Sequence, residues 1–296
     1  MTPLIWLIVV ITAYLFYALV FIIDKYILSR SLPHPIAYSF YVNFLSIFVC
    51  VLLPFGFHFP SFGQFALVLF GGVINVAGCV LLYSALNKEE VSRIAPFVGG
   101  FVAIFTLILS TFVLDEHFAV KQIVAFVFLV LGCLILSFEK KKFFSKPFVW
   151  ALISALFFAI FWVITKYTFI EARFVSGIIW VRMGVAIASL LLLIPKKNRK
   201  LIFKKAEKSK PEARGYFFAG RLMSVLGALG VYVAVYLGSV VLTNAFQGMQ
   251  YVFVFLFAIL FFKKFHSLRE ELKREIIIQK IWAIALICFG LFILVV

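Results

Sequence analysis

Acidic residues are scarce in this chain. Twelve Asp and Glu stand against 28 Lys and Arg in 296 residues, and only 14% of the sequence is charged. A soluble domain has about a quarter of its residues charged and about half apolar. At 65% hydrophobic, with a mean hydropathy of +1.15, this sequence carries more apolar surface than one buried core can hide. Histidine is equally thin. His34, His58, His117 and His266 fall in four different loops, and no spacing suits a metal. The four cysteines, Cys50, Cys79, Cys133 and Cys288, lie in apolar runs without a CxxC, which excludes a disulfide framework and leaves buried free thiols. No cluster of His, Asp or Ser stands near a span end, as a membrane enzyme acting on lipid would need. The expectation is a protein that is not an enzyme and holds no metal or cofactor. The opening "MTPLIWLIVVITAYLFY" lacks a basic n-region and a small-residue cleavage site, so it reads as a first span and not as a signal peptide.

What is present is a succession of apolar runs, each near the 20 or so residues that cross a bilayer. Spans are expected at 3–24, 36–56, 64–87, 91–114, 119–138, 148–170, 173–194, 216–238, 240–262 and 277–296. This predicts an all-α integral membrane protein of ten transmembrane helices. Two connections are long. "PKKNRKLIFKKAEKSKPEARG" (195–215) is basic, and 263–280 alternates Glu with Lys or Arg at helical spacing, which predicts a short interfacial helix.

The net charge of +16 is not a nucleic-acid signal, because of where it sits. Most Lys and Arg occupy the loops after spans one, three, five, seven and nine, while the opposite loops carry Lys121, Lys166 and Arg173. That bias puts the basic loops in the cytoplasm, against anionic headgroups, with both termini outside.

A fixed-offset comparison divides the chain into related halves. At an offset of 141, "ALVFIIDKYIL" (18–28) lies over "AIFWVITKYTF" (159–169), so Lys25 and Tyr26 meet Lys166 and Tyr167. At 158, "KQIVAFVFLVLGCLIL" (121–136) lies over "QKIWAIALICFGLFIL" (279–294), matching Ala125 and Gly132 with their counterparts. At 148, Gly100 falls on Gly248 and Phe105 on Phe253. Five spans is an odd number, so the second copy enters the membrane from the opposite side. The halves, 1–139 and 147–296 joined by a basic linker at 140–146, are expected to be inverted five-helix repeats, with substrate near the midplane between them.

With the "DKYILSR" and "TKYTF" span ends, the tract "YSALNKEEVSRIAPFVGGFVAIFTLILSTFVLDE" (83–116), Gln122 with Gly132, and Arg182, the sequence resembles EamA-type transporters of the drug/metabolite transporter superfamily. The resemblance runs over nearly the whole chain. It implies a carrier of small organic molecules, such as amino acids, amines or nucleotide precursors, with the fourth span of each half lining the central path. It also implies both termini inside, against the charge bias.

Several residues could carry function. In "TNAFQGMQYVF" (243–253), Asn244, Gln247 and Tyr251 form one helical stripe with Gln250 at its shoulder. Lipid cannot satisfy an amide, so the stripe either lines a wet cavity or bridges helices. The resemblance favours the cavity. Pro96, Gly99 and Gly100 form the matching kinked surface in the first half, built for substrate or for close helix contact. Arg182 lies about nine residues into its span, where it either grips a carboxylate or phosphate or plays a structural part. Arg221, near a basic loop, is expected to snorkel. Lys25 and Lys166 read as interface anchors or as parts of a gate. Tyr14, Tyr17, Trp162, Tyr232 and Tyr236 can shape an amphiphilic cavity. No acid lies at mid-membrane unless Asp24 is drawn inward, which argues against antiport of organic cations. The expectation is a secondary transporter of small polar metabolites, neutral, zwitterionic or anionic and amino-acid-like, working by alternating access. The alternatives are a flippase of lipid-linked substrates and a non-transporting membrane scaffold.

Overall fold

The computed structural model describes residues 3–30, 34–137, 145–206, 211–260 and 274–295. The described residues are 90% helical and contain no strand. The elements are α1 (Pro3–Arg30), α2 (Pro35–Phe44) continued by a 3-10 helix (Leu45–Phe55), α3 (Phe62–Leu86), α4 (Val91–Val113), α5 (Val120–Ser137) and α6 (Lys146–Glu171). There follow α7 (Phe174–Ser189), α8 (Lys196–Ala206), α9 (Pro211–Leu237), α10 (Val240–Ala245), α11 (Gln247–Leu260) and α12 (Arg274–Val295). Most of the interfacial helix expected at 263–280 falls outside the described residues, as do Glu139, His266 and most of the linker.

Eight helices among the described residues are long and apolar enough to cross a membrane; they run from Ile5–Leu28 to Gly215–Leu237. The ninth expected span is helical. Its two parts, α10 and α11, meet at Phe246, whose φ of −62° and ψ of −12° are helical and whose amide still bonds the Leu242 carbonyl. The second part, α11, is described as far as Leu260. In α12 the described apolar stretch is Ile278–Ile293. The second expected span changes character half-way, where the backbone tightens into the 3-10 helix containing Pro54 and ends at Gly56, whose φ of +99° suits glycine alone. The loop beyond is tied to α7: Ser176 donates to the Gly56 carbonyl at 3.1 Å, and Trp180 Nε1 to the His58 carbonyl at 2.8 Å. Entry into α3 is set by a capping box. Ser61 Oγ accepts from the Gln64 amide and Gln64 Oε1 from the Ser61 amide. The basic loop after α7 is partly helical, since α8 lies across the α2 surface with Ile202 buried and Tyr41 donating to its carbonyl at 3.2 Å.

Lipid offers no hydrophobic drive for helix association, so close packing through small residues does that work. A Cβ on Gly72 would strike the backbone of Gly184, and one on Gly184 the backbone of Val68, which fixes α3 against α7. Between α5 and α12 the contact is reciprocal. A Cβ on Gly132 would stand 2.8 Å from the Ala283 carbonyl oxygen, and one on Gly290 2.8 Å from that of Ala125. The first-half helices pack mainly on second-half ones: α1 on α9 and α11, α3 on α6 and α7, α4 on α6, α5 on α12.

The two matched lysines do the same job. Lys25 Nζ donates to the carbonyls of Leu86 and Glu89 at 2.6 and 2.9 Å, at the end of α3. Lys166 Nζ donates to those of Val235 and Gly238 at 2.9 and 2.7 Å, at the end of α9. The last carbonyls of a helix have no partner within it and carry partial negative charge. An ammonium on a neighbouring helix satisfies both needs. These lysines are therefore cross-helix caps.

Candidate functional site

The middle of the bundle holds a polar and aromatic cluster contributed by α1, α2, α3, α7 and α9. Its best-ordered part surrounds Asp24, which is 5% exposed. Asp24 Oδ1 accepts from Tyr38 and from Arg221 Nη2, and Oδ2 accepts from Tyr83 at 3.3 Å. The Arg221 guanidinium also reaches the Tyr38 hydroxyl at 3.3 Å and stands over the rings of Tyr38 and Phe217. One expectation falls here. Arg221 does not snorkel to the interface but pairs with Asp24. Asp24 stands near the end of α1 yet is buried, because burial of one charge is tolerable once the other pairs with it. Beside them, Asn75 Nδ2 donates to Asn43 Oδ1 at 3.1 Å, and Cys79 lies against the same pair.

Arg182 is different. It is half-buried, and among the described residues it makes no hydrogen bond and no ion pair. It shares a helical face of α7 with the buried residues Ile178, Val185 and Ser189, so it is placed on the side turned toward the bundle. Tyr17 stands beside Tyr232, whose ring touches Trp162.

The other sequence-selected residues gather around the α10–α11 junction in the ninth segment. Tyr14 donates to the Thr243 carbonyl at 2.8 Å, and Asn244 Nδ2 to Thr106 Oγ1 of α4 at 3.1 Å. Tyr251 is buried, with its hydroxyl against Gly99 and Gln247. A Cβ at Gly99 would occupy the place of that hydroxyl. Gly100 packs on Cys133 of α5, and Pro96 stands inside α4 in its buried first turns. Gln250 is 1% exposed with its Nε2 unpartnered, while Gln247 is half-buried. Tyr14 contacts Tyr17 at 6.3 Å between ring centres and so joins the two groups. Asn244 bridges helices; Gln247 is the amide left with open surface.

At one end of the bundle lies a cavity of about 490 Å³ lined by Glu116, His117, Gln122, Lys166 and Ser239 together with apolar side chains. Successive spans alternate in direction, so this end, at the close of α6, is opposite the end that holds Asp24. Ser239 donates to Glu116 at 2.6 Å there and caps α10 by accepting from the amides of Val241 and Leu242. No group of three or more His, Cys, Asp or Glu able to hold a metal occurs among the described residues.

This bundle of apolar helices with a charged interior can be set against known proteins. The model of the EamA-like transporter family matches residues 4–138. Over those residues the chain is similar to the EamA-like family, which lies within the drug/metabolite transporter superfamily. One solved crystal structure has the same fold, with a TM-score of 0.66 over 96% of this chain and 97% of the other at 14% identity. No curated protein matches. The match over residues 4–138 and the eight apolar helices together indicate an integral multi-pass membrane protein of transporter type. Sequence reasoning missed Asp24 with Arg221, and Asn43 with Asn75. The available signal was two opposite charges inside apolar runs, each needing a partner.

Proposed function

We propose that the chain is a secondary transporter of small polar organic metabolites that carry a carboxylate or phosphate, zwitterions of amino-acid type included. The observation that carries this reading is Arg182. A charge placed centrally in a membrane helix costs about 3 kcal/mol on insertion scales. The protein supplies Arg182 with no hydrogen bond or ion pair from its described residues, yet places it on the buried face of α7 with Ile178, Val185 and Ser189. A guanidinium has five donors in a planar fork that suits a carboxylate or phosphate. The aromatic groups of Tyr17, Tyr232 and Trp162 give the rest of the site an amphiphilic wall.

The transport cycle is alternating access between two inverted five-helix repeats of a ten-span chain. The two lysine caps, 141 positions apart in sequence, support the duplication, as does the exchange of partners between Gly132 with Ala283 and Gly290 with Ala125. Under a two-fold relation, contact i to j implies contact j to i, and α5 with α12 has that pattern. The basic loops face the cytoplasm and its anionic lipids. Organic cations are poor candidates, because Asp24 already has both oxygens engaged.

The test is a thermal-stability screen of purified protein against amino acids, amines, nucleosides and organic phosphates, repeated with Arg182→Gln. Stabilisation by acids or zwitterions that disappears in the variant supports the reading. Stabilisation that survives in the variant removes Arg182 from the site, and stabilisation by lipid-linked carriers alone favours a flippase.

A further inference from the structure

The cavity of about 490 Å³ at the close of α6 takes no part in the reading built on Arg182, which does not line it. Its volume lies in the range of small-molecule sites, about 300–1,000 Å³. Lys166 and Glu116, of opposite charge, both line it. Adjacent residues hold them there. The Gly238 carbonyl accepts from Lys166 Nζ at 2.7 Å, and Ser239, the next residue, donates to Glu116 Oε2 at 2.6 Å. One dipeptide thus carries both charges into one cavity. Among the described residues no ion pair joins them to each other or to anything else.

Each polar group keeps bonding capacity. An ammonium has three N–H groups, and Lys166 spends two, on Val235 and Gly238. Glu116 has Oε2 engaged, and no bond among the described residues reaches Oε1. Gln122 gives its Oε1 to the Ala119 amide at 3.0 Å and keeps its NH2 group. The fold accounts for two of these residues. Lys166 repeats the helix-end role of Lys25, and Ser239 caps α10 with its oxygen as acceptor. That cap needs no carboxylate beside it. Glu116 is the residue that the fold leaves unexplained.

The two charges, both half-buried, select among solutes. An anion is repelled by Glu116, a cation by Lys166, and an uncharged solute leaves both without a counter-charge. A zwitterion satisfies both at once, through hydrogen bonds that ionised groups make about twice as strong as neutral ones. Phe118 and Ile170 give apolar wall to the rest of the molecule. We propose that this cavity is a binding site for α-amino-acid zwitterions at the mouth opposite Asp24. Glu116 takes the ammonium, and Lys166 with the Gln122 amide takes the carboxylate. The site goes beyond the reading of Arg182 and does not depend on it. It makes amino acids the solutes that this mouth of the bundle collects.

Calorimetry on the purified full chain tests this with probes of one skeleton: L-phenylalanine, which has both charges, and phenethylamine and 3-phenylpropionate, which have one each. The Arg182→Gln chain reads the mouth alone. There L-phenylalanine is expected to bind, and the amine and the acid about tenfold more weakly. Adding Glu116→Gln, which keeps an acceptor for Ser239, should weaken L-phenylalanine by about tenfold, since a bond to a charged group is lost. The same change removes the repulsion of anions, so 3-phenylpropionate should bind no worse than before. Gln122→Ala should weaken L-phenylalanine by less. A Glu116 that only supports the fold would weaken the amino acid and the acid alike, or neither, and either result overturns the proposal. So does a failure of L-phenylalanine to bind both the wild type and Arg182→Gln. Binding that vanishes with Arg182→Gln and ignores Glu116→Gln in the wild type overturns the mouth site and spares the Arg182 anchor. Binding untouched by Arg182→Gln and weakened by Glu116→Gln supports the mouth and removes the anchor.

Discussion

Lys25 and Lys166 make matching bonds, each giving its ammonium to two carbonyls three residues apart at the end of a helix it does not belong to. The pairing gives two lysines 141 positions apart in sequence the same physical role. A hydrogen bond to a charged group contributes about 1.5–3 kcal/mol. Lys25→Met and Lys166→Met are therefore expected to destabilise the protein by similar amounts, about 1.5–3 kcal/mol each. Melting in detergent measures it. A loss confined to one of the two would show that the caps are not equivalent.

The reciprocal glycines of α5 and α12 leave no room for a side chain. Gly132→Val and Gly290→Val should each push the helices apart, at a cost of about 1–3 kcal/mol for an overpacked contact. Gly63, at the start of α3, has nothing within 4 Å of an added Cβ, so Gly63→Ala is the control and should leave the yield of folded protein unchanged. Equal behaviour of all three variants in size-exclusion profiles would remove the packing role of the α5–α12 pair.

At the other end of the bundle, Ser239 joins the two parts of its surroundings by capping α10 and donating to Glu116. Loss of an N-cap costs about 0.5–2 kcal/mol. Ser239→Ala should fall in that range. Glu116→Gln should cost less, because an amide oxygen still accepts from the hydroxyl. If Glu116→Gln proves the more damaging in a melting series, the carboxylate charge matters beyond this bond.

Much of the fold was legible because a membrane demands long apolar runs, and length is easily read. The expected span at 64–87 is α3 at Phe62–Leu86, and 148–170 lies within α6. What escaped was whatever depends on a distant neighbour. Arg221 and Asp24 are 197 positions apart, and the apolar run around either shows an interruption but not its partner. The amides of 244–250 were readable as needing protein or water, since lipid excludes them, but the choice between the two required the position of Thr106 on α4.

That choice divides Asn244 from Gln247 and can be measured. Asn244 is 2% exposed and bonded to Thr106, so Asn244→Ala breaks an interhelical hydrogen bond. Such bonds average about 0.6 kcal/mol in membrane proteins and reach about 1.7. A double-mutant cycle with Thr106→Val should return a coupling energy in that range, because both single changes remove the same contact. Gln247 keeps open surface next to Tyr251, so Gln247→Ala should leave the melting temperature nearly unchanged while weakening uptake or efflux of the transported solute. Zero coupling between Asn244 and Thr106 would return Asn244 to the cavity wall. A large stability loss in Gln247→Ala with normal flux per folded molecule would make it a bridging amide instead. The two amides stand on one helical stripe, yet Asn244 is buried and bonded across to α4 while Gln247 keeps exposed surface, so the two variants are expected to separate stability from flux.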